Sequence, residues 1–215
     1  MKNIILAILT LLVAQNLAVY AQETKETKET KETKELNELV IIAGKKKHKK
    51  LLGTGMRISS GAASFTPDKT GYEVGSIIKT KHPFEIEEIR FNVLSNSIEG
   101  AILGVEIYSI ENGFTKRLPN PLLTEIPNGK KQDICIVPER RIILEPGEYF
   151  VAIRFVDCSE NSKRNCSQEK KNYKELEKML FPLYIKNSYI RNGCNEELEK
   201  CRINIGLKVK GIEYK

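Results

Sequence analysis

Between Leu51 and Val209 the chain is written in short apolar runs that alternate with polar residues and are cut by turn signals every eight to fifteen residues or so. Such a pattern constrains the fold to β-strands, because period two puts successive side chains on opposite faces of a sheet. Leu103, Val105 and Ile107 point one way, while Gly104, Glu106 and Tyr108 point the other. Tyr72–Lys79 is a further strand. In Phe84, Ile86, Ile89, Phe91 and Val93 the alternation changes phase at Glu87-Glu88, which predicts a β-bulge there.

Turns are expected at Asn112-Gly113 and Asn128-Gly129, and at Pro146-Gly147, which joins Ile142–Leu144 to a strand starting at Tyr149. That strand carries Tyr149, Val151, Ile153 and Phe155 on one face, and Phe150, Ala152 and Val156 on the other. It should therefore be central and covered on both sides. Ile203, Ile205, Leu207 and Val209 predict a closing strand with one wet face. One segment reads as helix: Tyr173, Leu176 and Leu180 recur at i, i+3 and i+7 after Ser167, a good N-cap. The expected fold is mainly β, an antiparallel β-sandwich of jelly-roll-like form with one short helix insertion.

Ahead of this domain, at residues 51–215, three segments differ in kind. Residues 1–21 have the order of a signal peptide: Lys2, an apolar run from Ile4 to Ala14, and small residues Val19 and Ala21 before a cut at Gln22. The run is short of the ~20 apolar residues that span a bilayer. Residues 22–35 repeat Glu-Thr-Lys, a pattern with no apolar face, and read as a solvated spacer. Residues 36–50 combine an abrupt apolar strand, Leu39, Val40, Ile41 and Ile42, with a lysine tract of Lys45, Lys46, Lys47, Lys49 and Lys50 around His48. An exposed strand of this kind needs a partner. The lysines suit nucleic acid or anionic lipid headgroups at a membrane surface, and the favoured reading is a solvated tract that guards a sticky strand. The net charge of +7 comes largely from this tract, so nucleic-acid binding is not expected.

Five cysteines in an exported chain fit an oxidising compartment. Local pairing would join Cys158 with Cys166 and Cys194 with Cys201, leaving Cys135 as a buried core thiol. These spacings do not suit zinc. Asp68, Asp133 and Asp157, the only aspartates, are scattered in sequence and make no calcium loop. No cofactor is expected.

Catalytic constellations are thin. The two histidines, His48 and His82, lie far apart in sequence, and His82 precedes Pro83 as a turn residue. A glycosidase would need opposed carboxylates, for which Glu106 and Glu148 are a conceivable pair. Glu85, Glu87 and Glu88 read as the outer face of a strand. Trp is absent, leaving Tyr72, Tyr108, Tyr184 and Tyr189 as possible platforms for a glycan.

Two stretches resemble a known group. Leu36-Asn37-Glu38-Leu39-Val40-Ile41-Ile42-Ala43 resembles the short strand that follows the carboxypeptidase-like regulatory domain in bacterial exported proteins and TonB-dependent receptors. Gly71–Lys79, Pro83–Ile86 and Val105–Tyr108 are similar to the β-sandwich after that strand in small exported proteins. The resemblance covers residues 36 to about 156, lacks the regulatory domain and the receptor barrel, and transfers no catalytic residue. It implies a cell-envelope or surface location. Three functions stay open: a non-enzymatic module binding an envelope protein or glycan, a structural component pairing by strand addition, and, more weakly, a glycoside hydrolase or esterase.

Overall fold

The computed structural model describes residues 45–53, 55–168, 176–193 and 197–215. The expectations placed on residues 1–44, on Tyr173 and on Cys194 lie outside the described residues. In chain order the strands are β1 (Lys47–Gly53), β2 (Met56–Phe65), β3 (Glu73–Thr80), β4 (Phe84–Asn96), β5 (Ala101–Ser109), β6 (Thr115–Lys116), β7 (Leu122–Ile126), β8 (Gly129–Ile136), β9 (Ile142–Leu144) and β10 (Gly147–Asp157). The helix α1 (Glu160–Gln168) precedes β11 (Met179–Arg191), β12 (Glu199–Asn204) and β13 (Lys208–Tyr214).

The antiparallel pairings assemble two layers. In the first, β1 pairs with β13 and β13 with β4, while β9 and β8 lie end to end along the far side of β4. In the second, β3 pairs with β10, β10 with β5, and β5 with both β6 and β7. β3, β4 and β5 alternate between the layers, as do β9 and β10, and the first and last strands meet, giving a jelly-roll-like β-sandwich. β11 stitches the layers together: it starts between β2 and β4 and ends beside β3, with β12 along its middle and end.

Between the layers lies a core of aliphatic residues and phenylalanines. Phe65 is fully buried, with its ring 4.9 Å from Phe181, 5.8 Å from Phe155 and 5.4 Å from Tyr72. β10 is central as expected, with Tyr149–Ile153 all buried. The bulge is also present: Lys210 faces Glu88 and Gly211 faces Ile86, so Glu87 is the extra residue.

Four expectations are corrected. The domain starts inside the lysine tract, because Lys47–Lys50 form β1 opposite Gly211–Tyr214; the boundary is not at residue 51. Among the described residues the helix is Glu160–Gln168, with Ser167 inside it and not its cap; the cap is Ser159, whose Oγ accepts from the Ser162 amide at 3.2 Å. Its sequence has no apolar stripe to announce it. Leu180 instead belongs to β11, where Met179 and Phe181 are both fully buried at strand spacing.

The closing strand is two strands. Asn204 Oδ1 accepts from the Gly206 amide at 2.9 Å, and Gly206 adopts φ 69°, where a Cβ would fall 2.1 Å from the Tyr184 ring. Ile203 is consequently 45% exposed at the end of β12, whereas Val209 is buried in β13. Finally, Cys135 is exposed, because edge strand β8 sends Ile136 inward and Cys135 outward.

Candidate functional site

The outer face of the second layer carries an unusual concentration of charge. Alternation sends Glu73 of β3, Glu106 and Tyr108 of β5, and Phe150, Ala152 and Arg154 of β10 to the side away from the main core. Register then aligns them: Arg154 lies opposite Glu73, Ala152 opposite Glu106, and Phe150 opposite Tyr108. The end of β11 pairs alongside β3 and places Arg191 opposite Glu73.

Both carboxylates are fully buried and each is answered by cations. Arg191 Nη2 donates to Glu73 Oε1 and to the Tyr108 hydroxyl, both at 2.7 Å, and that hydroxyl donates to Glu73 at 3.1 Å. Arg154 Nη1 donates to Glu106 Oε1 at 2.9 Å, and Lys116 Nζ lies 2.9 Å from Glu106 Oε2. Burial, and then the neighbouring Glu73 charge, push the Tyr108 phenol well above its ordinary range, so it stays a neutral donor. Beside the ions, Phe114, Phe150 and Tyr189 meet edge to face, with Phe114 and Tyr189 4.8 Å apart.

Tyr189 also forms a wall of a cleft of about 560 Å³ at the other end of this face. Leu51, Leu52 and Gly53 of β1, Ile77–Lys79 of β3, Glu148 of β10, Lys186, Asn187 and Tyr189 of β11, and Lys200 of β12 line it. Lys79 forms an ion pair with Glu148. Lys186 Nζ donates to the Gly53 carbonyl at 2.9 Å, and burial alone pulls its pKa down. The lining mixes apolar side chains with four charged ones, and the volume lies within the range of small-ligand sites.

Of the residues singled out from sequence, Lys45 and Lys46 precede β1, and the Lys46 amide donates to the Lys215 carbonyl at 2.9 Å. Lys47 is exposed, with its ammonium 5.9 Å from the centre of the Tyr214 ring. Leu39, Val40, Ile41 and Ile42 lie outside the described residues. Glu106 and Glu148 are not opposed: Glu148 is four residues from Ala152 along β10, about 13 Å, and both carboxylates are held in ion pairs. His82 is half-buried in the turn before β4. Glu85 is bound by Arg141 at 2.7 and 2.9 Å, and Glu88 by Arg90 at 3.0 and 3.1 Å. Hydrogen bonds first from Arg90 and then from Lys210 hold the Glu88 carboxyl at about 2. Among the described residues no three His, Cys, Asp or Glu side chains are placed to hold a metal.

The local Cys158–Cys166 bridge is not formed, and both are free thiols. Cys158 precedes helix α1 and Cys166 lies in its last turns, so at 1.5 Å per residue the two are separated by about 10–12 Å, beyond the ~7 Å that a disulfide spans. Cys166 Sγ instead donates to Asp68 Oδ1 at 3.6 Å. Cys201 is likewise a free thiol, and the other half of its expected pair, Cys194, is not described. Burial pushes the Cys158 thiol up to about 11, so at pH 8 only about one molecule in a thousand carries the thiolate there. Maleimide labelling of the native protein, followed by peptide mass spectrometry, should modify exposed Cys135 early and leave Cys158 intact until denaturation. Equal labelling of the two would contradict the burial.

The ion network was hidden in the sequence because its members come from β3, β5, β6, β10 and β11 and meet only through register. Glutamate at an outward strand position gives no sign that side chains from neighbouring strands will bury it. The cleft is equally nonlocal, since its lysines come from three strands. A periodicity that sends Tyr108 and Phe150 outward beside Glu106 was the available hint of a covered outer face.

The chain matches no protein-family model, and no curated protein matches it. Among solved structures it is similar to a chain from the structure of infectious bursal disease virus, Gx strain, with a TM-score of 0.33 and 11% identity. The match covers 79% of this chain and spans 40% of the viral one.

Proposed function

We propose that this chain is an exported, non-catalytic binding module of the cell envelope or surface, and that its ligand enters the cleft between β1, β3 and β11. The observation that carries this reading is the convergence of Leu51, Leu52, Ile77 and Tyr189 with Lys79, Lys186, Asn187 and Lys200 around about 560 Å³. Export rests on the order of residues 1–21, with Val19 and Ala21 before the cut. The non-catalytic part is supported by the commitment of Glu85, Glu88, Glu106 and Glu148 to ion pairs, which leaves these carboxylates poorly placed for acid–base work.

Strand addition through residues 39–43 is the second reading; β1 itself is guarded, because Lys47, Lys49 and Lys50 stand along that edge, and lysine on an edge strand discourages pairing. The reading is tested by applying the purified full-length chain to a glycan array and to envelope extracts. Specific retention is expected, and it should be lost in Tyr189→Ala once thermal melting shows that variant folded. Absence of any retained ligand in both formats would sink the proposal.

A further inference from the structure

β11 does something unusual where it lines the cleft. Between Ile185, opposite Ile203, and Ser188, opposite Cys201, it has one residue more than β12, so Lys186 and Asn187 sit at a β-bulge. Both residues belong to the lining of the cleft, Lys186 half-buried and Asn187 exposed. Bulges commonly re-aim side chains at binding sites.

The bulge delivers an ammonium into a half-buried position without giving it a counter-charge. Among the described residues, the Lys186 ammonium has no carboxylate within ion-pair distance; its partner is the neutral carbonyl of Gly53. That carbonyl is fixed by the end of β1, where Gly53 faces Lys208 at φ 92° and a Cβ would fall 2.1 Å from the Leu207 carbonyl oxygen. Of the other cleft cations, Lys79 is answered by Glu148, and Lys200 is exposed to solvent. The four charges of the lining, Lys79, Lys186, Lys200 and Glu148, leave the cleft positive. Desolvation disfavours the charged form of Lys186, and an anion held beside it would restore what burial removes.

We propose that the cleft takes a small organic anion, a carboxylate or phosphate carried on a body of about sugar size, with Lys186 as its principal charge partner. Leu51, Ile77 and Tyr189 contact the uncharged body, and Asn187 and Lys200 complete the polar rim. The proposal rests on the reading of the cleft as the binding site and adds the chemical class of what it holds.

The test uses three probes that share a ring and differ in charge: glucose, glucuronate and glucose 6-phosphate. Each is titrated into the ¹⁵N-labelled full-length chain while the amide resonances of Gly53, Lys79, Asn187 and Lys200 are followed. Saturable shifts at these amides are expected with one or both anions and not with glucose; which anion binds separates carboxylate from phosphate recognition. Lys186→Met should weaken binding about tenfold or more, Lys186→Arg should retain most of it, and Lys130→Met, on β8, should leave it unchanged. Equal shifts with glucose would overturn the anion assignment while leaving the cleft as a binding site. No shift at these amides with any probe, together with a ligand from the array that perturbs a different surface, would overturn both. Equal weakening in Lys130→Met would reduce the effect to diffuse charge attraction and overturn the assignment. Because the comparison of charged with neutral probes is read in the native chain, it stands even if a Lys186 variant folds poorly.

Discussion

Replacing Arg191 by alanine is expected to destabilise the domain by about 3 kcal/mol, because it strands a buried carboxylate. Glu73 has no solvent exposure, and without Arg191 its described donor is the Tyr108 hydroxyl, 3.1 Å away. Tyr108 would also lose the 2.7 Å hydrogen bond it accepts from Arg191 and the guanidinium 5.7 Å from its ring centre. At about 2–4 °C per kcal/mol for a domain of this size, the melting temperature should fall by about 6–12 °C. The double variant Glu73→Leu with Arg191→Leu removes the charge and its partner together, and should recover most of the loss, because paired apolar replacements of buried ion pairs are often neutral. Calorimetry on the two variants decides the matter. A single-variant loss below about 1 kcal/mol would mean that the pair is screened as a surface bridge is.

Phe65→Ala should cost about 4 kcal/mol, the range for emptying a fully buried aromatic site. Phe65 is the residue at which three aromatic neighbours meet: Tyr72 just before β3, Phe155 of β10 and Phe181 of β11. Its loss therefore loosens the seam where β11 joins the layers, beyond opening a local void. Phe65→Leu, which keeps most of the volume, should cost roughly 1–2 kcal/mol. In urea unfolding the midpoint should drop with little change in slope. A Phe65→Ala loss no larger than that of Phe65→Leu would show that the neighbouring rings collapse into the space.

What could be read from the sequence was whatever a strand declares by its own alternation. Ala101–Ser109, the central Tyr149–Phe155 run and the phase change at Glu87 needed no partner to be recognised, and the sandwich followed from them. Features that depend on which strands meet were not available. Glu73, Arg154 and Arg191 look like ordinary surface charges until β3, β10 and β11 are aligned. The single apolar rhythm from Ile203 to Val209 concealed a crossing between strands, because Ile205 and Leu207 are buried without being in a strand. Cys135 misled for the opposite reason: an apolar run on an edge strand still has an outward face. The cleft left no local trace, since a bulge that adds one residue to β11 is defined only against β12.

The pairing of β1 with β13 has a kinetic side. Lys50 and Glu213, which form an ion pair across it, stand 163 residues apart in the chain. Closing so long a loop comes late in folding, because its entropic cost precedes any reward from the contact. As the chain emerges from its N-terminal end, β1 must wait as a solitary strand while nearly all of the sandwich is synthesised behind it. A strand in that position is the natural template for mispairing with a neighbouring molecule, and like charge along its length keeps two waiting copies apart. The lysines of β1 thus act before the native state exists as well as on its edge.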